Sequence, residues 1–212
     1  MYVVVINGYP RTGKTTFTDI CCEIAFPYGK NLSTVDFIKE IATLAGWDGT
    51  KDEKNRKFLS DLKKLMTDWD EVPMKKLEEA MEEHMTELAF NDFDPNKAIF
   101  FVHCREPKEI QKLVDEFNAV TVIVRRDDIE ENLSNDSDRN VELFPYDVII
   151  KNNASIQHLE LTAKIFMTGL CTTHGFPHYD SNLRKFKCKN NDCVKGFEVS
   201  CIGCEDYKKE TN

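Results

Sequence analysis

No stretch of this chain runs apolar for the roughly 20 residues that a membrane-spanning helix needs. Positive charge is also in deficit. The 28 Lys and Arg are outnumbered by 37 Asp and Glu, leaving a net charge of -9. Sequence-independent binding to nucleic acid depends on cations meeting phosphates, so this balance gives no strong nucleic-acid signal. The N-terminus reads directly into a strand with no leader ahead of it, and we expect a cytoplasmic location. In that compartment the eight cysteines should be reduced or metal-bound, not paired as disulfides. With 212 residues, 41% hydrophobic and 31% charged, the chain has the material for one globular domain with an appendage.

The most informative stretch is Tyr2–Thr16, YVVVINGYPRTGKTT. Tyr2–Asn7 is a β-branched apolar run and reads as a buried strand. Gly8-Tyr9-Pro10-Arg11-Thr12-Gly13-Lys14-Thr15 then fits G-x-x-x-x-G-K-[ST], and Phe17–Phe26 follows as a helix. The glycines let backbone bend and approach a phosphate closely. Successive N–H groups from Arg11, Thr12, Gly13 and Thr16, together with a helix N-terminus, would face the anion. Lys14 would place a point charge on a transferring phosphoryl group, and the Thr15 hydroxyl would ligate magnesium. A nucleoside triphosphate, ATP, with Mg, is the ligand this pattern implies.

Further along, Asn31–Ser33 reads as a second short strand. Ser33 or Thr34 would cap a helix carrying Phe37, Ile38, Ile41, Ala42 and Ala45, ended by Gly46. Trp47–Arg56 is polar and turn-like. It is followed by Phe58, Leu59, Leu62, Leu65, Met66 and Trp69 at helical spacing, a face expected to be core. Lys51, Lys54, Arg56 and Lys57 form a basic cluster, from which Lys51 and Arg56 are candidates to hold an anionic acceptor. Pro73 opens a helix with Leu77, Ala80, Met81, His84, Met85 and Leu88 on one side, His84 being expected on its flank without a chemical role. The adjacent pair Cys21-Cys22 cannot chelate on a helix and should be packing residues.

Ala98–His103 (AIFFVH) reads as a third buried strand, and Pro107 starts the next helix. Arg105 and Glu106 fall where that strand ends. In open α/β sheets the ligand crevice lies at the carboxyl ends of the strands. Arg105 is therefore a candidate phosphate ligand, and Glu106 a candidate for orienting magnesium or its water. Ala119–Val124 is a fourth strand ending in Arg125 and Arg126. The polar stretch Asp127–Phe144 suits a lid whose arginines reach a triphosphate on closure. Tyr146–Ile150 is a fifth strand, Asn152–Ser155 a turn and cap, and Leu159–Phe166 a last helix. The expected fold is α/β: a P-loop three-layer sandwich with a five-stranded parallel sheet, occupying residues 1–168.

Two resemblances sharpen this. Leu32–Lys39 (LSTVDFIK) resembles the acceptor-binding helix of adenylate kinases, S-T-G-D-M-L-R, with Val35 in place of the glycine and Lys39 in place of the arginine. The resemblance implies that Thr34 and Lys39 contact an acceptor phosphate, with Asp36 in the same run as a further acceptor-side or magnesium-placing candidate. Residues 100–166 resemble the second half of P-loop kinases that include phage-type deoxynucleoside monophosphate kinase and animal phosphomevalonate kinase. The matching features are the strand ending at Arg105, the Ala119–Val124 strand, Ser134–Asp138, and Tyr146–Asn153. These relatives often carry an aspartate two residues before the arginine, where this chain has His103. The resemblance implies a small-molecule kinase that transfers the γ-phosphoryl group of ATP to a phosphorylated acceptor, in first place a (deoxy)nucleoside monophosphate. Lys14, Arg105, Arg125 and Arg126 would then carry the catalytic charge. The competing reading is an NTP-dependent switch or adaptor whose tail grips a protein or nucleic acid. Against it, no N-K-x-D base-recognition motif is present.

The tail, residues 169–212, has a different character. Cys188-x4-Cys193-x7-Cys201-x2-Cys204 gives two close cysteine pairs, able to converge on one tetrahedral zinc. With Phe197, Val199 and Ile202 as its only core, such a segment needs a metal to fold. Four thiolates leave no open position, so the zinc would be structural; Cys171, His174 and His178 are the second-ranked ligand set. The purified chain should accordingly contain about one zinc per molecule, and Cys201→Ser should release it. Elemental analysis under reducing conditions checks both, and a zinc-free wild-type chain removes the site.

Overall fold

The computed structural model describes residues 1–50, 52–127 and 140–173. The tail cysteines Cys188, Cys193, Cys201 and Cys204, the alternative ligands His174 and His178, the Ser134–Asp138 stretch and Lys51 lie outside the described residues, and so does the side chain of Cys171. The strands are β1 (Tyr2–Asn7), β2 (Gly29–Ser33), β3 (Ile99–His103), β4 (Val120–Arg125) and β5 (Val148–Lys151). The helices are α1 (Lys14–Ile24), α2 (Asp36–Leu44), α3 (Glu53–Asp70), α4 (Val72–Phe90), α5 (Pro107–Phe117) and α6 (Ile156–Thr173). The chain divides into two compact units, one comprising residues 1–31 and 96–212 and the other Leu32–Pro95. No described helix is long and apolar enough to cross a membrane.

The sheet is parallel and five-stranded, in the order β2-β3-β1-β4-β5. β1 is central, pairing with β3 from Tyr2↔Ile99 to Ile6↔His103 and with β4 from Val4↔Val120 to Asn7↔Ile123. Its residues from Val3 to Ile6 are buried on both faces, as are Ile99–Val102 of β3, which is why these strands read as unbroken apolar runs. On one face, Val4, Ile6, Phe101 and Val122 pack with Phe17 and Cys21 of α1 and with Leu159, Ala163, Phe166 and Met167 of α6. The Phe17 and Phe166 rings meet edge-to-face with centroids 5.4 Å apart. α5 packs on β1 and β4, burying Ile110 and Leu113. Burial pushes the Cys21 thiol well above its usual range. It also lifts Cys22 to about 12, with the Asp19 carboxylate adding to the effect, so both remain neutral packing residues.

In the second unit α2, α3 and α4 pack on one another. Three expectations are corrected here. First, no side chain caps α2: its N-cap is Val35, whose own N–H reaches Ser33 Oγ at 3.4 Å, and the Thr34 hydroxyl is engaged elsewhere. Gly46 does end the helix, with φ +96° and a pair of return hydrogen bonds, Trp47 N–H to Ala42 O and Gly46 N–H to Thr43 O. Second, α3 begins inside the stretch read as a turn, because the Asp52 carboxylate caps it by accepting from Asn55 N–H at 2.7 Å. Its apolar face is not core. No α3 residue is fully buried, and Leu65 and Trp69 are 67% and 76% exposed. Third, His84 is no flank residue. It is buried with Met81 and Leu88 along the inward side of α4.

The helix expected over Leu159–Phe166 starts earlier, with Ser155 at its N-terminus accepting from His158 N–H at 3.4 Å, and runs through Gly169 to Thr173. Truncating the fully buried Phe17 to alanine should cost about 3–5 kcal/mol, since it empties the α1–sheet–α6 layer of a ring that α6 packs against. Urea denaturation of the two proteins measures the difference.

Candidate functional site

The loop between β1 and α1 leaves the central strand at its carboxyl end, beside β3 and β4. Two of its residues admit no side chain there. Gly8 lies at φ +140°, and a Cβ on it would sit 2.3 Å from the Val124 carbonyl oxygen. Gly13 lies at φ +90°, and a Cβ would sit 2.3 Å from Asn152 Nδ2. Arg11 takes φ +67°, a left-handed conformation that is uncommon for a residue with a side chain. Lys14 Nζ donates to the Gly8 carbonyl at 2.8 Å and to the Tyr9 carbonyl, so its charge is held over the loop. Thr12 Oγ1 donates to Tyr9 O at 2.9 Å and closes the turn. No side chain caps α1 and its first turn holds no acidic residue, leaving the positive end of the helix facing the loop.

Both shoulders of the loop are tied down. Asn7 Oδ1 accepts from Gly8 N–H at 2.8 Å, and Asn7 Nδ2 donates to the Tyr146 hydroxyl at 2.6 Å. That hydroxyl donates in turn to Val141 O at 2.8 Å. Burial, assisted by the Glu142 carboxylate and opposed by the Asn7 hydrogen bond, pushes the Tyr146 phenol well above its ordinary range, so it stays a donor. On the other shoulder Asn152 Nδ2 donates to Thr12 O at 3.0 Å, while Asn152 N–H binds Arg125 O at 2.8 Å.

A cleft of about 460 Å³ opens directly on this loop. Arg11, Lys14, Thr15, Thr16 and Arg126 supply its charge and hydroxyls, and Ala154, Ile156 and Leu159 an apolar wall; among the described residues none of its lining is acidic. Triphosphate and base need those two halves, an anion cradle and an apolar surface. The Asn152–Ser155 turn, read from sequence as a turn and cap, thus also borders the cleft. The Asn pair following a strand at the carboxyl edge was the available signal.

The remaining candidates fall as follows. Arg125 is half-buried and ion-paired with Glu142, whereas Arg126 is exposed and lines the cleft. Arg105 and Glu106 are half-buried just beyond β3, and Glu106 Oε2 accepts from Asn140 Nδ2 at 3.3 Å. His103 Nε2 lies 3.2 Å from Thr18 Oγ1. The Thr18 hydroxyl also reaches Thr15 O at 3.0 Å, so imidazole, hydroxyl and carbonyl form one chain of contacts. His103 thereby braces the turn of α1 that carries Thr15. In the second unit Asp36 and Lys39 pair with each other at 2.8 Å, Thr34 is buried, and Arg56 is exposed on α3. Among the described residues no three His, Cys, Asp or Glu side chains cluster as a metal site would need.

No family model and no curated protein matches the chain. Solved structures similar to it include two kinases. One is an unliganded sugar kinase from Janibacter sp. HTCC2649, at 13% identity and TM-score 0.44, covering 84% of this chain and 99% of its own. The other is a provisionally named kinase from Chloroflexus aurantiacus j-10-fl, at 11% identity and TM-score 0.41, covering 79% of this chain and 96% of its own. Likenesses this loose assign no activity. The class is defined by the chain's own fold and loop: an α/β protein with a P-loop at the carboxyl end of a central parallel strand.

Gly13→Ala tests the cradle. The added Cβ is strained at φ +90° and meets the Asn152 amide. Affinity for a magnesium–ATP analogue should fall by more than about tenfold with the circular dichroism spectrum unchanged. Titration calorimetry reads the loss, and undiminished affinity would mean that the loop does not hold the phosphates.

Proposed function

We propose that the protein is an ATP-dependent small-molecule kinase that transfers the γ-phosphoryl group to a phosphorylated acceptor, a nucleoside or deoxynucleoside monophosphate in first place. The observation that supports this most is the cleft itself: a P-loop with Lys14 held over it, three cations and no carboxylate among the described lining residues, and an apolar wall continuous with the loop. Gly8, Arg11, Thr12, Gly13, Lys14, Thr15 and Thr16 hold the triphosphate. The exposed Thr15 hydroxyl is the protein's ligand for magnesium, and Glu106 is a second candidate to orient its water. Bound magnesium supplies charge neutralisation between the phosphates. Ala154, Ile156 and Leu159 take the base.

In this reading an oxygen of the acceptor phosphate attacks the γ-phosphorus, the bond to the β–γ bridging oxygen breaks, and ADP leaves. The acceptor is already anionic, so no strong general base is required and the work is positioning and charge stabilisation. Lys14 and Arg126 face the triphosphate. Arg105 supplies charge at the end of β3. Arg125, through its pair with Glu142, orients the chain on which Arg126 stands. The β2–α2 corner with Thr34, Asp36 and Lys39, and Arg56 on α3, supplies the acceptor-side contacts. The four tail cysteines hold a structural zinc.

A coupled ADP-release screen over nucleoside monophosphates and phosphorylated metabolites tests the reading. One class of acceptor should raise ADP release well above hydrolysis. Lys14→Ala should then lower turnover by about two orders of magnitude or more while the fold persists. Near-normal turnover in a folded Lys14→Ala protein, or ADP release that no acceptor changes, would overturn it.

A further inference from the structure

Phe58, Leu62, Leu65 and Trp69 of α3 follow one another at intervals of four, three and four, which sets them along one side of the helix. The helix packs on α2 and α4, and Leu59, Leu62 and Met66 are half-buried. Phe58, Leu65 and Trp69 are exposed, Trp69 to 76%. Large apolar side chains grouped on one exposed face mark an interaction surface. Beside this stripe, and also exposed, run Lys57, Asp61, Lys64 and Asp68, again at intervals of four, three and four.

The symmetry of the two series points to the occupant. The apolar series has the same spacing from either end, with an aromatic ring at each end and leucines between. The charged series inverts when read backwards: Lys-Asp-Lys-Asp becomes Asp-Lys-Asp-Lys. Two copies of α3 laid antiparallel about a two-fold axis bring the same flank of each together, as a self-complementary interface requires. Lys57 then stands opposite Asp68 of the second copy, and Asp61 opposite Lys64 of the second copy. The midpoints of the two series lie one residue apart, about 1.5 Å along the helix, so one register serves both. A parallel pair would set lysine on lysine. Lys57 Nζ already bonds Asp61 at 2.9 Å within the helix, but a carboxylate has acceptor sites for a second ammonium. The net charge of -9 makes two chains repel at long range, so association needs such local complementarity. We propose that the exposed face of α3 is an interface between two copies of this chain, α3 pairing antiparallel with its counterpart. The proposal goes beyond the kinase reading and does not depend on it. With so few side chains from each copy the interface is small, and the dimer should form at micromolar concentration.

Sedimentation equilibrium of the full-length protein under reducing conditions, from about 1 to about 200 µM, tests this. The wild-type chain should pass from monomer to dimer over that range. Leu65→Ser and Trp69→Ser should each raise the dissociation constant about tenfold or more, with thermal unfolding little changed because both side chains lie at the surface. Lys64→Asp alone should weaken the dimer about fivefold or more. Exchanging all four charges, Lys57→Asp with Asp61→Lys, Lys64→Asp and Asp68→Lys, should restore it to within about threefold, since every pairing among the four is kept with its sign reversed. That variant should pair with itself and not with wild type, whereas a parallel interface would favour the mixed pair. With Trp47→Phe leaving Trp69 as the only tryptophan, its emission should shift to the blue as concentration rises. Several results would each overturn the proposal. They are a monomer at every concentration, a dimer indifferent to Leu65→Ser and Trp69→Ser, and a charge exchange that fails to restore pairing or that mixes with wild type. Blue emission independent of concentration is another, since it would mean that a different segment of the same chain covers the stripe.

Discussion

The site depends on a contact that leaves no room for a side chain: the backbone of Gly8 lying against the carbonyl of Val124, one strand over. That approach can occur only because β1 is central and pairs in parallel with β4, so that the loop leaving β1 passes directly over the end of its neighbour. Once the loop is committed to this path, its carbonyls accept from Lys14 and Thr12. Asn7, Tyr146 and Asn152 hold it there, each by bonds from outside the loop. The loop's left-handed residue, Arg11, is tolerable under those conditions, because a strained backbone persists only where its surroundings over-determine it.

The same tethers connect the loop to the segments around it. Tyr146 reaches it from the lead-in to β5 and also binds Val141, so the carboxyl end of the polar stretch after β4 is anchored to the first residues of the loop. Asn152 reaches it from the turn after β5 and binds Arg125 by its own backbone. Arg126, the cation lining the cleft, therefore stands between two fixed points, its neighbour Arg125 and the Asp127–Asn153 pair, where Asn153 Nδ2 donates to Asp127 at 2.7 Å. Positive charge in this cleft is set by backbone anchoring on both sides of the arginine, which is how a rigid scaffold lends precision to residues on loops.

What was legible in the sequence follows from what each signal depends on. The strands β1, β3 and β4 announced themselves because a strand buried on both faces must be apolar throughout, and nothing else in the chain looks like IFFVH or VVVIN. The P-loop was legible because glycine, lysine and threonine are each required at a fixed offset. Where tertiary packing decides, the reading failed. The stripe Phe58, Leu65 and Trp69 has the period of a core face, yet period says only which residues share a side and not what covers them. Helix starts were misplaced where an Asp52 carboxylate or an uncapped Val35 set them, since several polar residues in a row offer competing caps.

The site's polar partners were the least legible of all, for a physical reason. Asn7, Tyr146 and Asn152 act through hydrogen bonds to groups as much as 140 residues away, and a hydrogen bond imposes no spacing on the sequence. His103 shows the consequence. Judged against an aspartate, it looks like a lost metal-placing acid. Judged by its contacts, it bonds Thr18, whose hydroxyl also reaches Thr15 O, and so it steadies the turn of α1 that carries Thr15. Among the described residues, the lining of the cleft carries three cations and no acid.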